Sequence, residues 1–386
     1  MKLKRYECSI NMYSKVNLYI IWVTRRLTVK GFNVYLLGEY IRDVLLLNEP
    51  NNFNVIVNAS IKEIKTIFNN YRYISPSVVQ IWFPNGYNIN LYSWSICNNS
   101  IIINTISNKD FTINGLFYDF KNNEIIDFVN GKSDIENKII RTIGDPVKNF
   151  FNNPIHIIRT IKLAISLKFC IEDQTKKAIE LTIDNLKYCD PKKLQIEINE
   201  ILSSGYGEQI LYELKKFNIF NMLLPEINEI ISNDNFISNQ CYNINDLFRF
   251  LRTIDNMKKY SVYISLHVII SAILIPVVHI FAKNKIDISN WLDKVFLKWE
   301  KRFNFLKYQQ NRLCILLSSI NILISNKKIT QHYKNYIVQK DWFCELLLLY
   351  IIYLVTNNES LEKVKNWKIL AKSLNVSFRQ INIYKN

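Results

Sequence analysis

The stretch YLLGEYIRDVLLLNEPNNFNVIV, residues 35–57, contains the pattern that decides the fold. A short apolar strand leads to Gly38, and the I-R-D segment after it begins an apolar helix that ends before Pro50. Asn52 and Asn54 then open a second strand. Because side chains two residues apart on a strand point to the same side, we expect both amides on one face of a sheet.

The order of these features resembles the head motif of the tRNA nucleotidyltransferase and bacterial poly(A) polymerase family, G-G-x-V-R-D-x-L-L-G-x-x-P-x-D-x-D. In that family the two Asp of D-x-D hold the catalytic Mg²⁺ ions. This chain has Asn52 and Asn54 at those positions. The resemblance further implies that Gly38, Arg42 and Asp43 contact the nucleotide.

The replaced carboxylates matter because two-metal phosphoryl transfer depends on their charge. They hold Mg²⁺, which binds the triphosphate and activates the 3′-hydroxyl for in-line attack. The family's third carboxylate lies in an I-E-V-x-T-F strand, and Asn90 takes its place when a one-residue gap is allowed. An amide oxygen brings no charge, and Glu39 adds a negative charge where the family has a small Gly. The resemblance thus implies substituted catalytic positions at Asn52, Asn54 and Asn90, with the metal at Asn52 and Asn54.

Two further segments resemble the family in the same order along the chain. Residues 108–118, NKDFTINGLFY, are similar to the nucleotide-contacting R-R-D-F-T-I-N-x-L-x-Y, which implies a role for Lys109 and Asp110. IDFVNG at 126–131 and RTIGDP at 141–146 continue the family's D-x-V-G-G and R-x-I-G-x-P. Any one of these segments is compatible with an ordinary turn and strand, but the series in order is specific.

Residues 152–159, NNPIHIIR, resemble the family's base-reading segment, E-D-P-V-R-M-L-R. The resemblance implies nucleotide contacts for Asn153, His156 and Arg159. Asn and His form hydrogen bonds, but the charge-assisted selectivity of Asp and Arg is lost. A Gly-Tyr-Gly at 205–207 is similar to the poly(A) polymerase branch and favours it over the CCA-adding branch.

The periodicity and the resemblance together predict an α+β protein, with a small mixed-sheet nucleotidyltransferase head followed by an all-helical neck and body. Apolar alternation predicts strands over 34–37, 53–57, 78–83, 88–94 and 101–106, and 3.6-residue spacing predicts helices from Pro146 onward. We divide the chain into an N-terminal helix (1–30), the head (31–145), a helical neck that binds RNA and nucleotide (146–230) and a helical body (231–386).

The composition favours a polyanionic partner but has a second explanation. The formal net charge of +16 and the pI of about 9.3 favour nucleic acid first and a membrane surface second. About one residue in eight is Asn, and AT-rich codons enrich both Asn and Lys. Codon bias therefore explains the same charge, and under it Asn52 and Asn54 are ordinary strand residues.

The cysteines and the apolar runs bear on the cellular compartment in which the chain is expected. Seven scattered Cys contain no C-x-x-C pair, so neither a disulfide framework nor a zinc site is indicated, and a reducing cytoplasm fits. The first 15 residues show no signal-peptide pattern. The apolar runs 262–281 and 343–355 contain polar residues, so we expect buried helices and no membrane partner.

Three functions follow from the resemblance. The leading hypothesis is a cytoplasmic protein of the poly(A) polymerase type that acts on RNA 3′ ends, of mRNA or tRNA-like RNA, using Mg²⁺ and ATP if it is active. The substitutions indicate that AMP transfer is weak or absent. The rival is a non-catalytic RNA-binding scaffold that holds RNA ends or RNA-decay proteins. A CCA-adding tRNA nucleotidyltransferase is ranked lower, because the base-reading residues are replaced.

Overall fold

The computed structural model describes residues 3–7, 17–50, 54–84, 86–93, 110–232, 244–284, 287–325 and 329–374. The α+β class is confirmed, since strands occupy the first part of the described chain and helices most of the rest. The chain forms two compact units, Met1–His156 with Leu167–Thr182, and Ile157–Ser166 with Ile183–Asn386. Residues 167–182 pack with the first unit, and the division into head, neck and body stays a prediction.

The first unit contains a mixed eight-stranded sheet in the order β1-β8-β7-β2-β3-β6-β5-β4. Its strands are β1 (Lys4–Glu7), β2 (Val34–Leu37), β3 (Asn54–Val57), β4 (Tyr71–Ser75), β5 (Val78–Trp82), β6 (Asn88–Ser93), β7 (Leu116–Asp119) and β8 (Glu124–Asp127). Among these described strands only β3 and β6 pair in parallel. Val55, Leu91 and Tyr118 on central strands are fully buried, which places the core against this sheet.

A two-stranded parallel sheet pairs β9 (Ile139–Ile140) with β10 (Cys170–Ile171), and this pairing brings the 167–182 segment back to the first unit. The helices up to residue 182 are α1 (Leu18–Val29), α2 (Glu39–Leu45), α3 (Ile61–Ile67), α4 (Gly131–Glu136), α5 (Pro146–Asn152), α6 (Ile155–Leu167) and α7 (Asp173–Thr182). A capping box starts α3, as the sequence predicts, because Ser60 and Glu63 satisfy each other's backbone N–H groups.

The sequence does not predict β1 and β4. Most side chains of both strands are exposed, so neither strand has the apolar alternation that marks a half-buried strand. Both strands lie at the edges of the sheet, where one side of the backbone has no neighbouring strand in the described fold. The strand predicted over 101–106 lies outside the described residues.

The second unit is helical. After a 3-10 turn (Ile183–Tyr188) its helices are α8 (Pro191–Ser203), α9 (Gly207–Lys216), α10 (Ile219–Leu223), α11 (Pro225–Ser232), α12 (Ile244–Lys259), α13 (Leu266–Lys283), α14 (Ile288–Phe303), α15 (Lys307–Ile324), α16 (Gln331–Val338), α17 (Phe343–Thr356) and α18 (Glu362–Ser373). Among the described helices, α13 alone has the length and apolar composition to cross a membrane, and 67% of it is buried inside the protein. The pattern therefore matches a core helix of this unit.

Candidate active site

Gly38 forms the turn between β2 and α2. Its φ of 79° lies in the left-handed region that glycine adopts without strain, and its N–H donates to the Leu116 carbonyl at 3.0 Å. Glu39 begins α2. Burial raises the pKa of Asp43 and of Tyr92, and the Glu39 carboxylate adds to both shifts. The turn therefore carries the negative charge of Glu39 at the N-terminus of α2.

Arg42 is buried and bound to neighbouring protein groups. It is 7% exposed, and its guanidinium donates to Asp43 Oδ1 and to Asn114 Oδ1, both at 2.8 Å. Asn114 donates in turn to Asp110 Oδ1 at 2.9 Å. Three of the predicted nucleotide-binding residues thus share one hydrogen-bonded network in the first unit. Their contact with a nucleotide stays a prediction.

Asn54 and Asn90 lie side by side as register partners on the parallel strands β3 and β6. Asn90 is also the partner of Gln80 on β5, whose side-chain amide donates to Asn90 Oδ1 at 3.0 Å and to Asn88 Oδ1 at 3.1 Å. Register partners point to the same face of a sheet. These four residues therefore form a neutral amide row across β3, β6 and β5.

The other substituted positions cannot be placed in the same way. Asn52 and Lys109 lie outside the described residues. The register nevertheless aligns the third substituted position, Asn90, with Asn54, although these residues are 36 positions apart in the chain. Whether Asn52, Asn54 and Asn90 act together as a site stays a prediction.

The amide row does not fit a Mg²⁺ site. Mg²⁺ in nucleotide sites is held by one or two carboxylates together with phosphates and waters. Asn54 and Asn90 bring no charge, and the side-chain oxygen of Asn90 already accepts a hydrogen bond from Gln80. Among the residues that the structure describes, no group of three or more His, Cys, Asp or Glu could hold a metal ion. No metal-dependent step follows from these side chains.

Two family models match the chain. The poly A polymerase head domain matches residues 95–141, and the probable RNA- and SrmB-binding site of polymerase A matches residues 168–231. Poly(A) polymerase I of Salmonella typhi is 26% identical over 229 residues, 53% of this chain and 49% of that protein. The CCA-adding enzyme of Staphylococcus epidermidis is 22% identical over 216 residues, 52% of this chain and 54% of that enzyme. This chain is similar to the bacterial poly(A) polymerases and CCA-adding enzymes.

The fold of this chain also matches solved structures. The Thermotoga maritima CCA-adding enzyme complexed with tRNA has a TM-score of 0.64 and 18% identity, and the match covers 97% of this chain and 87% of that chain. This likeness shows the shared fold. The chain spans about half the length of the curated relatives it matches. Gly38, Asn54 and Asn90 lie outside both segments matched by the family models.

In this chain the D-x-V-N-G segment, residues 127–131, has a structural role. Asp127 is fully buried, and its carboxylate accepts hydrogen bonds at 2.9–3.1 Å from the backbone N–H groups of Val129, Gly131 and Lys132. A Cβ at Gly131 would lie 2.1 Å from the Thr112 carbonyl oxygen, so this position requires glycine. The segment thus starts α4 and packs it against the turn that carries Asn114.

Sequence reasoning missed an ion cluster that supports the same turn. Asp134, 5% exposed, accepts from Thr112 Oγ1 at 2.6 Å and from Arg141 Nε at 3.1 Å. Arg141 also pairs with Glu172 on the returning 167–182 segment. The only sequence signal for this cluster was Arg141, which begins R-T-I-G-D-P. Its partners Asp134 and Glu172 belong to other segments, so no local pattern indicates the pairing. We interpret Asp134 and Arg141 as positioning residues for the 3-10 turn Thr112–Asn114.

The predicted base-reading residues differ in their surroundings. Asn153 is exposed after α5. His156 is 8% exposed, its Nδ1 lies 2.7 Å from Asn149 Oδ1, and its ring centroid lies 6.4 Å from that of Phe111. Arg159 belongs to the second unit and pairs with the buried carboxylate of Glu197. His156 and Arg159 thus have internal partners, and nucleotide contact by any of the three stays a prediction.

Proposed function

We propose that this chain is a poly(A) polymerase-type nucleotidyltransferase that binds RNA 3′ ends and transfers AMP from ATP weakly or not at all. One observation carries the second part of the proposal. Asn54 and Asn90, which the resemblance places at two of the family's carboxylate positions, are register partners, and Gln80 donates to Asn90 within a neutral amide row. Loss of several metal ligands should bring transfer near the uncatalysed background.

RNA is the proposed partner on three grounds. The net charge is +16, residues 168–231 match an RNA-binding model, and the relatives include poly(A) polymerase I. The Gly-Tyr-Gly of residues 205–207 supports the poly(A) branch over the CCA branch. In this fold the backbone N–H of Gly207 donates to Asp255 Oδ1 at 3.1 Å, so the segment begins α9. The proposed location is the cytoplasm, with RNA-decay proteins as possible further partners.

An end-labelled RNA assay tests the proposal. The purified chain is incubated with Mg²⁺ or Mn²⁺ and with ATP or CTP in separate reactions, and extension is followed on a gel. We expect no product above background with either nucleotide. Robust ATP-specific tailing would overturn the inactive part of the proposal, because charge for the metals would then come from other residues.

RNA binding is measured on the same preparation by fluorescence anisotropy. Lys and Arg contacts release counterions, so affinity should fall at least about a hundredfold between about 50 and 200 mM salt. A flat salt dependence, or no binding at low salt, would assign the +16 charge to codon bias.

The second candidate is a non-catalytic RNA-binding scaffold. The Gln80 hydrogen bonds to Asn88 and Asn90 favour it, because the side-chain oxygens of both Asn residues accept from a neutral amide at the place where an enzyme would need charged metal ligands. The two candidates differ in one measurement. A weak enzyme extends RNA slowly with Mn²⁺ after long incubation, whereas a scaffold binds the same RNA and never extends it.

A further inference from the structure

The second unit contains a cavity of about 400 Å³ between the 3-10 turn Ile183–Tyr188, α8, α10 and α14. Leu186, Leu194 and Leu223 form its floor and are each less than 5% exposed. Clefts of roughly 300–1,000 Å³ with apolar walls and a few polar groups are the usual sites for small ligands. The volume therefore suits one ligand group the size of a nucleotide.

The rim of this cavity is cationic. Lys187, Lys298, Lys301 and Arg302 line it. Arg302 binds the buried Glu226 carboxylate through two contacts of 3.0 Å, and Lys298 lies 3.8 Å from the same carboxylate. Burial opposes ionisation of Glu226, but hydrogen bonds from Arg302 hold its pKa below the ordinary value, so Glu226 is an anion at neutral pH. Arg302 and Lys298 thus share the Glu226 carboxylate, and the described residues that line the cavity include four cations and no acidic side chain, which favours an anionic ligand.

An aromatic ring stands beside the cavity. Tyr188 follows Lys187 in the chain and is 74% exposed, and the Lys187 ammonium lies 5.0 Å from its ring centroid. Exposed aromatic rings next to cations bind single-stranded nucleic acid, because a base stacks on the ring while its phosphate meets the cation. An apolar floor, a cationic rim and an exposed ring therefore fit a flat base attached to a phosphate.

We propose that this cavity binds one unstacked nucleotide of single-stranded RNA, with its base against the leucine floor and its phosphate between Lys187 and Lys301. The inference rests on the proposed function, since it takes RNA as the ligand. The floor residues lie within 168–231, the segment that matches the RNA-binding model, whereas Lys298 and Lys301 lie outside it. The packing of α14 therefore adds Lys298, Lys301 and Arg302 to Lys187, which lies within the matched segment.

Charge reversal tests the rim. Lys187→Glu with Lys301→Glu is compared with Lys294→Glu plus Lys372→Glu, two exposed lysines outside the cavity. Both double variants change the net charge equally, so bulk electrostatics is matched. The affinity for a fluorescein-labelled 12-nucleotide oligo(A) should fall at least about tenfold further in the cavity variant than in its control. The slope of log affinity against log salt concentration should decrease by about two in magnitude, because two phosphate contacts are lost. Equal losses in both variants would overturn the site.

Cys189 supplies a direct reporter, because it lines the cavity. Burial raises the pKa of this thiol to about 11, so alkylation is followed by mass spectrometry at about pH 9, where some thiolate forms. Saturating oligo(A) should slow modification of Cys189 at least about fivefold and leave Cys314, outside the cavity on α15, unchanged.

The outcomes separate the two proposals. RNA binding without protection of Cys189 contradicts the cavity site and leaves the proposed function standing. Failure of the unmodified chain to bind any RNA at low salt contradicts the proposed function, and the cavity site with it. Protection by anionic lipid vesicles but not by oligo(A) would reject RNA as the occupant.

Discussion

The Arg42 guanidinium donates a 2.8 Å hydrogen bond to the side-chain oxygen of Asn114 and so joins α2 to the 3-10 turn Thr112–Asn114. Both residues belong to motifs that resemble nucleotide-contacting segments. In this chain the pair holds two parts of the first unit together, whereas Asn54 and Asn90, which the resemblance places at metal-binding positions, are neutral register partners.

Removing the Arg42 charge should destabilise the first unit. Arg42→Met leaves the partly buried Asp43 carboxylate without its cation and Asn114 without a donor, and loss of one partner of a buried pair costs about 3 kcal/mol. Urea unfolding measures the change. Arg25→Met, at an exposed position on α1, is the control and should cost less than about 0.5 kcal/mol. Equal midpoints for the two variants would contradict the buried-pair interpretation.

Restoring the carboxylates should rebuild a metal site. The triple variant combines Asn52→Asp, Asn54→Asp and Asn90→Glu. The register places the new carboxylates at positions 54 and 90 side by side, so the metal-free variant should be less stable than the original chain. Mn²⁺ should raise its melting temperature, and weak transfer with poor discrimination between ATP and CTP should appear, because the base-reading pair stays replaced.

The matched control for this variant is Asn69→Asp, Asn290→Asp, Asn366→Asp, which adds the same charge at exposed positions. Its melting temperature should not respond to Mn²⁺. If the restored variant also fails to respond, Asn54 and Asn90 do not occupy a metal site, and the resemblance at these residues is only one of sequence.

Gly131→Ala should disrupt the turn that carries Asn114. The new Cβ would lie 2.1 Å from the Thr112 carbonyl oxygen, and the obstacle is backbone, which cannot rotate away. We expect a loss of at least about 3 kcal/mol in unfolding free energy, in the upper range for single substitutions. Gly86→Ala is the control, since it has a positive φ of 82° but open space around the Cβ and should cost about 1 kcal/mol. Similar losses would contradict a steric cause.

Stability should fall as the solution becomes mildly acidic. Burial lowers the pKa of His279 from 6.5 to about 4. Below pH 6.5 the unfolded chain therefore takes up a proton that the folded chain does not, and by pH 5 this linkage removes about 2 kcal/mol. His279→Phe, which keeps the ring beside Tyr353, should lose less stability than the original chain between pH 7 and 5. If the original chain and His279→Phe lost the same unfolding free energy between pH 7 and 5, His279 would take up its proton in the folded chain as readily as in the unfolded chain.

The sequence alone determined the local elements and the family resemblance. The capping box at Ser60 and Glu63 and the turn at Gly38 depend on residues close together in the chain, and both are present in the structure. Strand β4 escaped prediction because its exposed side chains carry no period-two signal. The prediction that Asn52, Asn54 and Asn90 replace carboxylates likewise needs only the order of residues in the chain.

Tertiary structure alone decided which side chains meet and which are already bound to a partner. The pairing of Asn90 with both Asn54 and Gln80 depends on strand order and register, which no local pattern encodes. Arg159 is predicted from the resemblance to contact the nucleotide, and only helix packing shows that it also pairs with Glu197, 38 positions further along the chain. An unpaired buried charge is strongly destabilising, so a buried carboxylate such as that of Glu197 requires a cationic partner. Which cation lies close enough depends on contacts between residues that are distant in the chain.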